Sequence, residues 1–403
     1  MPKQTVRDID LAGKRVLMRV DFNVPLDDNG RITDDARIVK ALDTIKYCLE
    51  QNAKVILMSH LGRPKGKRSP EFSLRPAAEH LSKLLGKPVE LLEDCVGPAV
   101  EKKVLALKSG SAVLLENLRF HAEETKNDEA FARQLASLGE IFVNDAFGTA
   151  HRAHASTVGV THFLPSVAGF LLAREIEFFD KAITNPDRPF VTILGGAKVS
   201  DKIKLINNLL EKADTILVGG AMAYTFYKTL GIGIGQSKFE PAGEVVAKEA
   251  LEKAKAKNVP IELPVDRVIA QKLEKGVETK VTEGDIPDDW SGFDIGPKTC
   301  AHYKTILKKA KTIVWNGPVG VFEIPPFDRG TRSLADFVAG LDATVIIGGG
   351  DTAAAIKQFG LESKVSHVST GGGASLEYLE GTVLPGIAAL LDKKTSVGSG
   401  HKK

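Results

Sequence analysis

Short apolar runs rich in Val, Ile and Leu punctuate the chain, and segments with helical spacing fill the gaps between them. In the first half the runs are Arg15–Val20, Lys54–Ser59, Val113–Glu116 and Ile141–Asn144. In the second half they are Phe190–Leu194, Thr215–Val218, Thr312–Asn316, Thr344–Ile347 and Val365–Ser369. Continuous apolar strands alternating with helices are the pattern of parallel sheets covered on both faces. Two such sets predict two α/β domains. Helical spacing is plainest after Leu194, where Ile203, Ile206, Leu209, Leu210 and Ala213 form one stripe within a helix predicted over Ser200–Ala213. Ser166–Thr184 also reads as one long helix, stopped by Pro186 and Pro189, and we place the domain join near it. Gly231, Gly233 and Gly235 read as loop, and the polar tail Lys393–Lys403 as loose.

The length of 403 residues is in keeping with two to three domains at about 150 residues each. Apolar residues make up 43% and charged residues 26%, ordinary globular values that argue against disorder. A net charge of +3, from 54 Lys+Arg against 51 Asp+Glu, leaves no surplus to hold nucleic acid. Cys48, Cys95 and Cys300 are odd in number and far apart, which argues against a disulfide framework or a thiolate zinc site. The N-terminus has no apolar signal core, and the longest stretch free of charge, Ala153–Ala173, is too polar to span a membrane. We expect a soluble cytoplasmic protein.

In an open parallel sheet, ligands bind beyond the carboxyl ends of the strands. In the first half those ends lead to Asp21 and Asn23, to His60 and Arg63, to Arg119, and to Arg152, with Arg37 close in sequence to the first. Any one of these arginines alone reads as a surface ion pair. Four basic groups at matching strand ends instead predict a small, multiply anionic ligand, which guanidinium groups bind through paired hydrogen bonds. The second half ends its strands in glycine: Gly195-Gly196, Gly219-Gly220, Gly317, Gly348–Gly350 and Gly371–Gly373. Each could be a tight turn and no more. Five together predict a bound phosphate compound, because glycine lets backbone N–H groups approach an anion at a helix N-terminus. There is no G-x-x-x-x-G-K-[ST], and no G-x-G-x-x-G follows the first strand, so a P-loop enzyme or a dehydrogenase is disfavoured. His151 and His154 could share a helical face, but nothing accompanies them as further zinc ligands. Lys198 and Lys202 flank a predicted helix start, where cations oppose the macrodipole unless a polyphosphate sits between. Asp351 could N-cap a Thr352–Phe359 helix or hold Mg²⁺ beside the glycines.

Taken together, Asp21-Phe22-Asn23-Val24-Pro25, Ser59–Pro64, Glu116–Phe120, Ala150–His154, Gly195–Lys202, Trp315–Glu323, Gly348–Thr352 and Thr370–Ser375 resemble the phosphoglycerate kinase family, in family order up to about Leu391. The resemblance implies two doubly wound parallel-sheet (Rossmann-like) domains joined by a long helix and hinge. The boundaries implied are 1–170 for an N-terminal 3-phosphoglycerate-binding domain, 171–186 for the interdomain helix and 187–381 for a C-terminal nucleotide-binding domain. Residues 382–403 would return to the N-terminal domain and end in the tail. Asp21, Asn23, Arg37, His60, Arg63, Arg119 and Arg152 would hold 3-phosphoglycerate. Lys198, Lys202, Gly292, Asn316, Glu323, Gly349, Gly350, Asp351 and Thr352 would hold ATP or ADP, with Glu323 at the ribose and Asp351 linked to Mg²⁺. Arg37, Lys198 and the helix start at Gly372 would stabilise the phosphoryl group in transit. Val319 stands where many members carry Met. The activity implied is reversible phosphoryl transfer between 1,3-bisphosphoglycerate and ADP by a monomer that closes on its substrates. A kinase for another acid, or a binding protein on the same fold, would be the competing readings.

Overall fold

The computed structural model describes residues 2–393. Beyond Lys393, the tail expected to be loose lies outside the described residues. The chain divides into two compact units, one running to Ile176 and resumed from Val383, the other spanning Glu177–Thr382.

In the first unit, β1 (Arg15–Arg19), β2 (Lys54–Met58), β3 (Val89–Leu91), β4 (Ala112–Leu114), β5 (Ile141–Asn144) and β6 (Ser166–Ala168) form one sheet in the order β3-β4-β2-β1-β5-β6. Every pairing is parallel. The connections diverge from β1, so the crevice at its carboxyl end opens between β1 and β5. Val16, Met18 and Val20 lie against Ile38, Ile45 and Leu57 in the buried core on one face. Full burial of such side chains stabilises by about 1.5–3 kcal/mol each.

The long helix expected from Ser166 begins instead at Phe170, because Ser166–Ala168 is strand β6, paired with β5. Gly169 makes the corner: a Cβ there would lie 2.2 Å from Asp145 Oδ1. The free N–H groups of the helix start find side-chain acceptors, as helix termini require. Phe170 N donates to Thr44 Oγ1 at 2.9 Å and Leu172 N to Asp145 Oδ1 at 3.2 Å. Burial pushes the Asp145 carboxyl up to about 7.

The segment after Val383 packs on this first unit. Leu391 O accepts from Gln4 N (2.8 Å), Leu391 N donates to Ser166 O (2.9 Å), and Gly386 N donates to Ala150 O (2.9 Å). Buried Asn144 donates to Gly386 O at 3.1 Å while its Oδ1 accepts from Ala146 N at 3.1 Å.

The second unit carries β7 (Phe190–Leu194), β8 (Thr215–Val218), β9 (Ile261–Glu262), β10 (Arg267–Ala270), β11 (Lys280–Thr282), β12 (Ser291–Ile295), β13 (Thr312–Asn316), β14 (Thr344–Gly348) and β15 (His367–Val368). Six of them form a parallel sheet ordered β9-β8-β7-β13-β14-β15. Numbered along the chain this is the 3-2-1-4-5-6 order of doubly wound nucleotide-binding folds, with its crevice between β7 and β13. Strands β10, β11 and β12 form a separate antiparallel sheet that the apolar runs do not announce. The physical reason is exposure: β11 lies at the sheet edge and β12 alternates between buried and partly buried positions. The predicted Ser200–Ala213 helix is shorter, a 3-10 turn at Ser200–Lys202 followed by Ile203–Leu209.

Asn144→Ala should lower the stability of the first unit by about 1–3 kcal/mol, because it strips partners from a buried carbonyl and a buried N–H. Denaturant melts followed by a probe in that unit measure it, and an unchanged midpoint would show the return segment is held by other contacts.

Candidate functional site

The carboxyl ends of β1, β2, β4 and β5 bring one set of sequence-chosen side chains together. Arg37, at the start of the Ala36–Glu50 helix, donates from Nη1 to Asp21 Oδ2 (3.0 Å) and to Asn23 O (3.1 Å). Asn23 Oδ1 accepts from Gly62 N at 2.8 Å, and Arg119 Nη1 donates to Gly62 O at 2.8 Å. The two loops are thus tied through Gly62, whose φ of 61° suits glycine. Arg63, Arg119 and Arg152 line a cavity of about 480 Å³, together with Lys65, Lys126, His121 and His154. Arg63 and Arg152 are exposed, while Arg119 is buried and its pKa falls to about 10 through desolvation and the neighbouring Arg19 and Arg152.

Behind this cavity lies a buried polar layer that the sequence reading passed over. Arg19 is fully buried; its Nε donates to Ser156 Oγ at 2.9 Å, and its Nη2 meets His60 Nδ1 at 3.1 Å. Ser156 in turn donates from Oγ and N to the two oxygens of buried Glu124, at 2.6 and 3.0 Å. The Arg19 guanidinium only donates, having no lone pair with which to accept, so His60 Nδ1 must be the acceptor and the ring proton sits on Nε2. Burial, then Arg19, Arg119, Arg37 and Arg152, hold the His60 pKa well below the usual value. Arg19 sits inside β1, where reading only the residues after each strand could not find it.

The second unit brings together the glycine turns. Gly195 N donates to Asn316 O (3.0 Å) and Gly196 N to Pro318 O (3.1 Å), which pins the β7 and β13 ends to each other. A Cβ on Gly195 would lie 2.0 Å from Pro318 O, so this approach admits only glycine. Lys202 Nζ donates to Asn316 O (2.8 Å) and Oδ1 (2.6 Å), and desolvation lowers its pKa to about 8 against the pull of Asp351 and Asp201. Asn316 Nδ2 is buried with no partner among the described residues. Thr352 Oγ1 accepts from Gly317 N at 2.6 Å. Ser375 Oγ joins Gly349 N (3.3 Å) to Gly372 O (2.7 Å). Asp351 is not the N-cap: the helix runs Gly350–Gln358 behind Gly349, which takes φ 84°. Its exposed carboxylate has no hydrogen-bond partner in the protein among the described residues. Lys198 is exposed ahead of the Ser200–Lys202 turn, and no hydrogen bond joins it to these groups.

A cavity of about 370 Å³ lies beside these turns, bordered by Gly196, Gly220, Gly292, Gly320, Pro318 and Val319. Glu323 and Asp351 line it, as do Tyr224, Tyr227, Lys238, Arg267 and Asp294, which the strand-end reading missed. Arg267 stacks over the Tyr227 ring at 4.6 Å, and a Cβ on Gly292 would collide with the Tyr224 hydroxyl at 2.0 Å. Burial holds the Asp294 carboxyl well above its ordinary range, and its oxygens accept from Ile295 N (2.9 Å) and Gly330 N (2.7 Å). Tyr224 and Tyr227 sit on the Met222–Thr229 helix, Arg267 on β10, Asp294 on β12 and Lys238 in a loop, none just after a parallel strand, so only tertiary folding gathers them.

A guanidinium-lined cavity on one parallel sheet and a glycine-bordered cavity on another define the class: an α/β phosphotransferase for a small anionic substrate and a nucleotide. The phosphoglycerate kinase family profile matches residues 6–382. Phosphoglycerate kinase of Thermosipho africanus is 59% identical, over 98% of this chain and 99% of that protein. The one from Fervidobacterium nodosum is 58% identical, over 98% and 100%. Among solved structures, phosphoglycerate kinase from Coxiella burnetii superposes with a TM-score of 0.89 at 46% identity, covering 96% of this chain and 98% of that one. The chain belongs to the phosphoglycerate kinase family. It is an enzyme of glycolysis that forms ATP and 3-phosphoglycerate from 1,3-bisphosphoglycerate and ADP.

Burial, with Arg19, Arg119, Arg152 and His151, lowers the His154 pKa to about 4. Glu124 Oε1 lies 3.8 Å from His154 Nδ1, but that carboxylate is committed to Ser156, so desolvation and the guanidinium groups prevail. Between the ordinary histidine value of 6.5 and about 4, the unfolded chain therefore binds a proton that the folded chain refuses. Stability should therefore decrease as the pH is lowered through that window. His154→Gln should flatten this acid limb in thermal melts, and a limb of unchanged slope would remove His154 as its source.

Proposed function

We propose that the basic cavity of the first unit binds 3-phosphoglycerate and the glycine-bordered cavity of the second binds ADP or ATP. The observation that carries this reading is the pairing of Lys202 with Asn316 at the joined ends of β7 and β13, beside a cavity bordered by glycine. In the first, Arg63, Arg119 and Arg152 meet phosphate and carboxylate oxygens, while neutral His60 donates from Nε2. Asp21 and Asn23 hold Arg37 in place for the transferring group. In the second, Lys202 and the backbone N–H groups of Gly349, Gly350 and Gly372 meet the phosphates, Thr352 and Asn316 hold the neighbouring Gly317 and Gly195 turns, and Glu323 takes the ribose. Gly292 keeps the cavity open.

Asp351 fits a Mg²⁺ ligand. It is an exposed carboxylate at a helix start beside the cavity, and Mg²⁺ is held by one or two carboxylates with substrate phosphates and water completing its octahedron. When bound with the nucleotide, the ion neutralises charge on the phosphate oxygens. In ATP synthesis an oxygen of the ADP β-phosphate attacks phosphorus of the acyl phosphate, and the carboxylate of 3-phosphoglycerate leaves with the bond electrons. Both end groups are anions at neutral pH, so no general base is required. Catalysis is then alignment plus charge stabilisation by Arg37, Lys198 and the Gly372 helix start. The two ligands sit on separate units, so in-line transfer requires closure, which also excludes water from the acyl phosphate. We place the enzyme in the cytoplasm as a monomer; among the described residues no helix is long and apolar enough to cross a membrane.

A coupled assay with 3-phosphoglycerate, MgATP and a dehydrogenase that consumes 1,3-bisphosphoglycerate tests the substrates directly. Activity with other carboxylic acids and none with 3-phosphoglycerate would defeat the assignment. Lys198→Ala should lower kcat by roughly 10²–10³, the scale for loss of one transition-state charge stabiliser. Lys202→Ala should instead raise KM for the nucleotide, as loss of uniform binding does. A near-normal kcat for Lys198→Ala would leave that lysine only a cradle for phosphate. In solution scattering, the radius of gyration should decrease when both substrates are saturating. A value equal to that of the free enzyme would count against closure.

A further inference from the structure

Asp94, Cys95 and His121 stand apart from every residue given a role above, although His121 reaches the wall of the basic cavity. Asp94 and Cys95 follow β3, and His121 follows the Leu118–Phe120 turn after β4. Because β3 and β4 are paired in register, the two loops leave the sheet side by side. Leu92 N to Leu114 O at 2.8 Å extends that pairing toward them. The carboxylate, thiol and imidazole donors all lie within 4.8 Å of one another. Asp94 Oδ1 and His121 Nε2 are already 2.6 Å apart.

We propose that Asp94, Cys95 and His121 form a binding site for one borderline-soft divalent cation, Zn²⁺, with water in the fourth position. One oxygen, one sulfur and one nitrogen are a zinc donor set, whereas Mg²⁺ and Ca²⁺ take oxygen. Zinc bonds of about 2.0–2.3 Å in a tetrahedron put donors roughly 3.3–3.6 Å apart. The Asp94–His121 pair must therefore open by less than about 1 Å and the thiol close by at most about 1.3 Å. The cation takes the place of the shared proton and of the thiol proton, so metal uptake releases protons.

The surroundings orient the ligands. Asp94 Oδ1 accepts from Cys95 N at 2.7 Å, and the His121 ring stacks on Phe131 with centroids 5.2 Å apart. The side chains of Asp94 and His121 are 39% and 28% exposed, which gives a route from solvent to the buried thiol. Charges act in both directions. Arg68 opposes a cation, while Glu123 beside His121 and Glu124 beside Cys95 favour one. Burial and Asp94 hold the thiol well above its ordinary value, so affinity should increase with pH.

The test uses full-length enzyme stripped of metal by a chelator and titrated with Zn²⁺ in excess Mg²⁺, with Co²⁺ as an optical probe. One Zn²⁺ should bind with proton release, and Co²⁺ should give a thiolate-to-metal charge-transfer band. Cys95→Ser should abolish the band. Cys95→Ser and His121→Gln should each weaken Zn²⁺ by more than the roughly 10–100-fold typical of losing a mere ligand-supporting partner. Should the buried Cys95→Ser protein fail to fold, His121→Gln, at a partly exposed position, carries the decision alone. Absence of the thiolate band, or Zn²⁺ affinity unchanged in His121→Gln, would overturn the site and leave Asp94–His121 as an ion pair.

Discussion

Every strand of a parallel sheet leaves at the same edge, and that constraint places the chemistry of both units. In the first, the ends of β1, β2, β4 and β5 deliver Asp21, Asn23, His60, Arg63, Arg119 and Arg152 to neighbouring loops. In the second, the hydrogen bonds from Gly195 to Asn316 and from Gly196 to Pro318 draw two strand ends so close that no side chain fits. A hairpin-connected sheet would scatter these ends over two edges. Here the backbone topology assembles a site from residues more than a hundred positions apart.

Gathering cations at one edge has an electrostatic cost, and the two units meet it differently. In the first unit, buried Arg19 is offset by Glu124 through Ser156, and His60 is kept neutral among guanidinium groups. Replacing a solvated arginine cluster by one partly sunk in protein strengthens its field toward an incoming anion, because the local dielectric is lower. In the second, Lys202 is held by neutral oxygens of Asn316 and its pKa falls to about 8. A polyphosphate would restore the charge balance that the protein alone leaves incomplete. Both arrangements are preorganised to meet negative charge, which suits a reaction that transfers a phosphoryl group between two anions without moving a proton.

The positions immediately after predicted strands were legible in the chain because a continuous apolar run marks its own end. Asp21, Asn23, His60, Arg63, Arg119 and Arg152 were found in this way, as were the glycine turns. The same logic was blind to groups that lie within elements. Arg19 is the last residue of β1, set between apolar Met18 and Val20, and carries no local mark of function. Tyr224, Arg267 and Asp294 reach the second cavity from a helix and from an antiparallel sheet whose exposed and alternating strands the apolar runs do not report. Ser166–Ala168 was absorbed into a helix because three small or apolar residues suit either structure, and the open edge of β5 decided for strand.

Hydrophobic periodicity, glycine and the signed residues beside them are local properties, so the sequence by itself determined two α/β units, their parallel strands and the family to which the motifs point. Burial, pKa and side-chain partnership depend on what distant segments place nearby. Only the tertiary structure decided that Arg19 is countered by Glu124, that His60 stays neutral with its proton on Nε2, and that Asp351 leaves the helix cap to Gly349. Asp94, Cys95 and His121 show the same limit. Cysteine spacing along the chain argued against thiolate zinc, yet the paired ends of β3 and β4 bring a carboxylate, a thiol and an imidazole within 4.8 Å, because strand register measures distance in space and not in sequence.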